Sequence, residues 1–328
     1  MPRTSKRSYS VFLGNVGSCS DRYCSAYAPP FSYSELFDRA ASIELLNGVD
    51  LVATNRLLNS QDEIRRSIDK TGLKIVSVAV DTFTEAVWRQ GSFSSIDPAI
   101  RARAVKDTRT VMDFAASLGC DLITIWPGQD GYDYPLQADY LQERTWFADG
   151  IREASAHRRD VRVSIEYKLK EPRTHCYLNS ASTAALVLAE IGAANCGAVL
   201  DYGHSLLGQE NPGESVAILK RHGDRLMHVH INDNFRSWDD DLIVGSVQLL
   251  ELLEFVYWLR RTGYRGWYTM DQFPYREDGR DAVAESAAWL DAVEAIVDKA
   301  DPAEIAQVLS RKDAIASTRL ARRLLLGR

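Results

Sequence analysis

The chain reads as one (β/α)8 barrel with a C-terminal helical extension. Short apolar runs alternate with longer helical stretches eight times along the sequence, the pattern of repeated strand–helix units and a parallel sheet. No Gly-x-Gly-x-x-Gly follows the first run and no Gly-x-x-x-x-Gly-Lys occurs anywhere, so an open doubly wound nucleotide-binding sheet lacks its fingerprint. Four consecutive runs end in ionisable residues, where barrels of this class gather their chemistry.

The runs are continuous rather than alternating, as strands buried on both faces must be. The first strand is expected at 10–15, followed by a helix over 34–47. The second, at 49–53, leads to a helix over 60–71 that Gly72 closes. The third, at 74–80, precedes a long helix over 97–118 stopped by Gly119. Strands at 122–126 and 161–166 are followed by helices over 138–156 and 180–191. Strands at 197–201, 226–231 and 266–271 are followed by helices over 212–221, 246–262 and 281–297. Residues 1–299 thus make the barrel. Residues 300–328 make a helical arm, with helices over 302–310 and 314–325, that either clasps a neighbouring subunit or folds onto its own barrel.

Composition narrows the function. A length of 328 residues is within reach of one parallel barrel, and 45% hydrophobic with 26% charged residues is ordinary for a globular enzyme. The net charge of −6 argues against a general grip on nucleic acid. Basic residues concentrate only at the ends, as Arg3, Lys6 and Arg7 and as Arg319, Arg322, Arg323 and Arg328, and such ends are solvated. No apolar run is long enough to cross a bilayer, and no apolar segment with a small-residue cleavage site opens the chain. Five scattered cysteines, Cys19, Cys24, Cys120, Cys176 and Cys196, form no disulfide framework and are expected as free thiols in a cytoplasmic protein.

The strand ends carry the functional signal. The fifth strand ends in Glu166-Tyr-Lys168, the sixth in Asp201-Tyr-Gly-His204, the seventh carries His228-Val-His230 and the eighth ends in Asp271. Neighbouring strands lie about 4.8 Å apart, so side chains at their ends converge on one point. Buried carboxylates need a partner, and a divalent cation supplies one for several at once. Mostly oxygen donors with an imidazole suit Mn²⁺ best, with Co²⁺, Mg²⁺ or Zn²⁺ as alternatives. His228 and His230 face the same side of their strand, so one is a ligand and the other a core or supporting residue. A loop with Asp239, Asp240 and Asp241 leaves the seventh strand at this end, and Asp239 and Asp241 with His204 and a shared Asp201 offer a second site.

These residues resemble the xylose isomerase-like TIM-barrel superfamily, and most closely its two-metal aldose–ketose isomerases, the xylose and L-rhamnose isomerases. Glu166-x-Lys168 with Glu171-Pro172-Arg173, Asp201-x-x-His204, Asp239-x-Asp241-Leu-x-x-Gly245 and the Trp126-Pro-Gly128 loop carry the likeness, which is specific from 122 to 275 and only architectural before that. The resemblance implies that Glu166, Asp201, His230 and Asp271 hold one ion, and that His204, Asp239 and Asp241 hold a second. Lys168, His204 and Asp271 would then be catalytic, Lys168 bonding an oxygen at C1 or C2, and Trp126 would line the sugar pocket. It implies a small sugar as substrate and a homodimer or homotetramer. Whether hydrogen moves as a hydride or through an enediol stays open.

The likeness departs at one point. Xylose isomerases use an early histidine to open the sugar ring, and here none precedes His157. The alternative on the same barrel is a one-metal ketose 3-epimerase, whose substrate-binding arginine Arg236 matches, or a relative that cleaves C-glycosides. Barrel endonucleases, which need more histidines and a basic groove, and a non-catalytic carbohydrate-binding barrel fit less well.

Overall fold

A computed structural model describes residues 8–327. The basic residues Arg3, Lys6, Arg7 and Arg328 lie outside the described residues. Eight parallel strands close into a barrel in strictly sequential order. They are β1 (Tyr9–Phe12), β2 (Gly48–Val52), β3 (Lys74–Val80), β4 (Leu122–Ile125), β5 (Arg162–Glu166), β6 (Cys196–Asp201), β7 (Leu226–Ile231) and β8 (Tyr268–Met270), with β8 pairing back onto β1. The surrounding helices are α1 (Tyr33–Ala41), α2 (Gln61–Thr71), α3 (Pro98–Ser117), α4 (Tyr140–Ser155), α5 (Ala181–Ile191), α6 (Pro212–Arg221), α7 (Leu249–Thr262) and α8 (Gly279–Lys299). Every predicted unit is present.

The differences lie at the element ends and have local causes. The first strand stops at Phe12 because residues Leu13–Val16 turn into a 3-10 helix. Helix α1 ends at Ala41, six residues short of expectation, where the Ser42 hydroxyl bonds back to the Arg39 carbonyl. Helix α7 starts at Leu249 rather than 246 because the amides of Val247 and Gln248 donate to the Asp233 carboxylate, at 2.9 and 3.1 Å, and not to a helical turn. The periodicity missed two short helices, Asn55–Leu58 and Tyr202–Leu207, and a two-residue ribbon pairing Gly131–Tyr132 with His175–Cys176. Gly72 does close α2, in the left-handed conformation (φ 69°) that a side chain resists.

Helices α9 (Pro302–Arg311) and α10 (Ala314–Leu326) form the C-terminal extension and lie against α7 and α8 of their own barrel. Ile305 and Leu320 anchor them there, each buried.

The barrel interior is not uniformly apolar. Beneath the C-terminal mouth of the barrel, Asp50 of β2 accepts from Ser77 of β3, from Thr269 of β8 (2.9 Å) and from His228 of β7 (3.0 Å), and Thr269 also meets Ser10 of β1 (2.7 Å). All five side chains are fully buried. A buried charge survives there because hydrogen bonds from three strands satisfy it.

Candidate metal centre

The C-terminal strand ends bring Glu166, Asp201, His230 and Asp271 together. One donor atom from each lies within 4.8 Å of all the others. Register explains the convergence: Asp201 pairs with His230, His230 with Thr269, and the Asp271 amide continues the ladder by donating to the Ile231 carbonyl at 3.1 Å. His230 Nδ1 sits 3.3 Å from Glu166 Oε1 and 3.5 Å from Asp271 Oδ2. Yet neither ring nitrogen of His230 makes a hydrogen bond, although the ring is fully buried. An orphaned buried imidazole facing carboxylates is a costly arrangement for a bare protein. A bound cation removes that cost, so this donor set fits one.

The electrostatics point the same way. Burial pushes the His230 imidazole down, but Glu166 and Asp271 overcome it and hold its pKa up to about 10. Burial lifts the Asp271 carboxyl to about 7, with the repulsion of Glu166 and Asp201 adding to it. Asp201 is raised by burial and by its neighbours Glu166 and Asp239. Carboxylates this crowded lack positive charge.

Supporting groups fix each donor. Asp201 caps the helix Tyr202–Leu207 by accepting from the His204 amide at 2.8 Å. Asn232, fully buried, donates its amide to both Asp201 oxygens, at 3.3 and 3.2 Å. Gly203 lies directly against that amide: a Cβ there would stand 1.8 Å from Asn232 Oδ1. Phe12 sets its ring edge-to-face on His230, with centroids 5.0 Å apart, and Asn15 approaches Asp271 at 3.5 Å. His228 lies behind His230 and is held by Asp50, which makes it the supporting histidine of the pair.

The second set is only partly assembled: His204 meets Asp239, while among the described residues no side-chain hydrogen bond or ion pair joins Asp241 to either, and the three do not form a donor cluster like the first. His204 Nδ1 donates to the Tyr167 carbonyl at 3.0 Å, which turns Nε2 toward Asp239 Oδ2 at 3.2 Å. Lys168 Nζ is 2.8 Å from that same oxygen and 2.6 Å from Glu171 Oε2. Burial opposes ionisation of Asp239, but Lys168 and His204 hold its pKa far below the usual carboxylate range. The pKa of Asp241 is driven well upward by burial and by the charge of Asp239, with Asp271 and Asp201 contributing. His204, pushed down by burial, is held up at about 9 by Asp201 and Asp239. The loop presents these two acids because its base is closed by paired backbone bonds between Asp233 and Leu242 (3.0 and 2.8 Å), while Asp240 instead accepts from the Phe235 amide at 2.9 Å.

Trp126 stands beside Lys168, whose ammonium is 5.4 Å from its ring centre, and Phe83 meets it edge-on at 4.9 Å. Arg236 is held elsewhere. Its guanidinium is 3.1 Å from Glu251 of α7 and 3.4 Å from the Glu210 carbonyl, neither of them a residue of the cup. Asn15, Phe12, Asn232 and Asp50 escaped the sequence reading, because single polar or aromatic residues in apolar runs carry no pattern. Burial pushes the Cys19 thiol up to about 12, with the charges of Asp241 and Asp271 adding to it.

The chain matches the xylose isomerase-like TIM-barrel family over residues 35–293. Xylose isomerase from Thermus thermophilus is 27% identical over 286 residues, 83% of this chain and 73% of that protein. Among solved structures, a D-tagatose 3-epimerase-like protein superposes with a TM-score of 0.68 at 19% identity, covering 89% of this chain and 99% of that one. D-psicose 3-epimerase from Clostridium cellulolyticum superposes with a TM-score of 0.67 at 15% identity, covering 88% and 99%. At those identities the solved structures establish the shared fold.

Proposed function

We infer the activity from this premise: the chain belongs to the xylose isomerase-like TIM-barrel family. Its relatives are sugar isomerases and epimerases, and the cup suits a divalent metal. The reading is a metal-dependent isomerase that interconverts an aldose and a ketose at C1 and C2 of a small sugar, with Mn²⁺ as the preferred ion.

Charge balance carries the reading. Glu166, Asp201, Asp271, Asp239 and Asp241 crowd five carboxyl groups at the mouth, Glu171 adds a sixth beside Lys168, and burial with mutual repulsion holds Asp201, Asp271 and Asp241 up. Once the imidazoles bind as neutral ligands, Lys168 and a single divalent ion would leave that group strongly negative, and a second ion would relieve it. Glu166, Asp201, His230 and Asp271 would hold the first, and His204, Asp239 and Asp241, with Asp201 shared, the second. When bound, such ions supply fixed positive charge for the two sugar oxygens on which charge develops.

The chain's own groups do the rest. Lys168 Nζ donates to the sugar oxygen nearest it, and its anchorage on Asp239 and Glu171 keeps it charged and aimed. Trp126 packs against the carbon chain and keeps water from that side. Asn232 holds the Asp201 carboxylate in one orientation. His204, with its Nδ1 proton committed to the Tyr167 carbonyl, presents Nε2.

A ketose 3-epimerase with one ion is the second reading. It is favoured by Lys168 lying on Asp239, where it neutralises an acid that the two-ion reading assigns to metal. Substituting Asp239→Asn and Asp241→Asn separates the two. The isomerase loses one of two Mn²⁺ ions per chain, keeps its circular dichroism, and no longer exchanges hydrogen between C1 and C2 in an NMR assay on a panel of aldoses. An unchanged single ion with inversion at C3 rejects the two-ion mechanism.

A further inference from the structure

The loops that follow β1, β7 and β8, three adjacent strands, turn aromatic rings outward at the mouth of the barrel. Tyr27 is 39% exposed, Phe235 65%, Trp238 46% and Phe273 37%. None of them is needed to close the barrel core. Their arrangement is ordered. Tyr27 and Phe273 each pack on Tyr275 with ring centres 6.3 Å apart, and the Tyr275 phenol lies in the field of Asp241 and Glu171. The Phe273 amide donates to the Asp241 carbonyl at 3.0 Å, so this row of rings starts beside the acidic pocket and runs out to solvent. Trp238 adjoins Asp239 in the loop after β7, and the ammonium of Lys170 stands 5.8 Å from its ring centre while donating to the Ser237 carbonyl at 3.4 Å. Arg276 stands 5.5 Å over the Tyr27 ring.

A ring face beside an N–H donor is what a sugar ring requires, since its C–H face packs on the aromatic and its hydroxyls take the donors. The row is also continuous with the pocket assigned to the reacting carbons. A ligand that occupies both is longer than one sugar unit.

Resting on the isomerase reading above, we propose that the substrate is a reducing disaccharide, or a longer saccharide. Its reducing-end unit enters the acidic pocket, and its second unit stacks on the aromatic rim to which Tyr27, Phe273 and Tyr275 and the exposed rings Phe235 and Trp238 of the loop after β7 contribute. Only hydrogen moves between C1 and C2 of the reducing unit, so the glycosidic bond is untouched and no further reactant is needed.

Steady-state kinetics on the full, Mn²⁺-loaded chain tests this with glucose and xylose against maltose, cellobiose and lactose. At least one disaccharide is expected to exceed glucose in kcat/KM by about tenfold, the equivalent of one well-stacked ring. Tyr27→Ala, Phe235→Ala and Trp238→Ala should raise KM for that disaccharide and leave glucose unchanged, while Trp238→Phe keeps most of the effect. Equal rates on glucose and the disaccharides, with rim variants indistinguishable from the parent, overturn the proposal and leave the isomerase standing. So does a fall in molar mass by light scattering in these variants without a change in KM, which assigns the rings to a contact between copies. Binding of unreactive lactitol but not sorbitol, followed by tryptophan fluorescence and lost in Trp238→Ala, supports the second-unit site even if no sugar is isomerised, in which case the isomerase reading alone fails.

Discussion

Replacing Glu166 by Gln should uncouple the protein's stability from metal. Glu166 Oε1 is the atom that faces both His230 (3.3 Å) and His204 (3.2 Å), so the substitution removes a ligand oxygen and one unit of negative charge at the centre of the cup. A ligand that binds only the folded state stabilises it by RT ln(1 + [L]/Kd), which is about 4.1 kcal/mol at a thousand times Kd. Loss of even a supporting partner lowers metal affinity 10- to 100-fold, so loss of a direct ligand should cost about 100-fold or more. At the same Mn²⁺ concentration the variant then sits at about ten times its own Kd and gains about 1.4 kcal/mol. An unfolding entropy of about 2.1 cal/mol/K per residue over 328 residues is about 0.7 kcal/mol/K, so these gains translate to about 6 °C for the parent and about 2 °C for the variant. Differential scanning fluorimetry with and without EDTA reads both shifts. A variant whose Mn²⁺-induced rise equals that of the parent refutes the assignment of Glu166 as a ligand.

Other outcomes follow from the same geometry. The metal-free protein should lose stability as pH rises: Asp271, raised from 3.8 to about 7, loses its contribution across that span, and His204 and His230, raised from 6.5 to about 9 and 10, lose theirs between 6.5 and those values, because all three bind protons more tightly when folded. Adding Mn²⁺ should flatten that slope and release protons, seen by calorimetry in buffers of different ionisation enthalpy; no proton release would mean these groups are not ligands. Gly203→Ala should push Asn232 off Asp201 and cost about 1–3 kcal/mol as an overpacking change, with weakened Mn²⁺ affinity in the folded fraction; unaltered affinity would remove Asn232 from the account. Burial holds the His228 pKa below the usual imidazole value, so its neutral ring donates one hydrogen bond to the Asp50 carboxylate; His228→Ala leaves that buried charge one donor short and should cost about 1–3 kcal/mol of stability, with Asp50→Asn in addition recovering part of it, and an unchanged melting temperature in His228→Ala would show that Asp50 does not depend on it.

The barrel was legible because each strand is an apolar run bounded by turns, and because the covering helices carry their own stop signals, as at Gly72. Glu166, Asp201, His230 and Asp271 were legible because charge at the end of a buried strand demands a partner, and four such strands are adjacent. The Asp239–Asp241 loop was legible as a spaced motif but not in its geometry. Which acids turn inward depends on the Asp233–Leu242 bridge and on Asp240 binding the Phe235 amide, contacts that sequence spacing does not encode. The placement of Arg236 depends on Glu251, fifteen residues away on α7, which competes for it with any substrate. Asn232 and Asp50 act through side chains on other strands, at 31 and 178 residues' separation from Asp201 and His228, and nothing local marks them.

The central expectation is a cation shared by four strand ends. Anomalous X-ray scattering from crystals grown with Mn²⁺ locates it directly. The expected result is a peak bounded by Glu166, Asp201, His230 and Asp271, with a weaker or equal one beside His204, Asp239 and Asp241. A cup without a peak at saturating Mn²⁺, with His230 still unbonded, contradicts it.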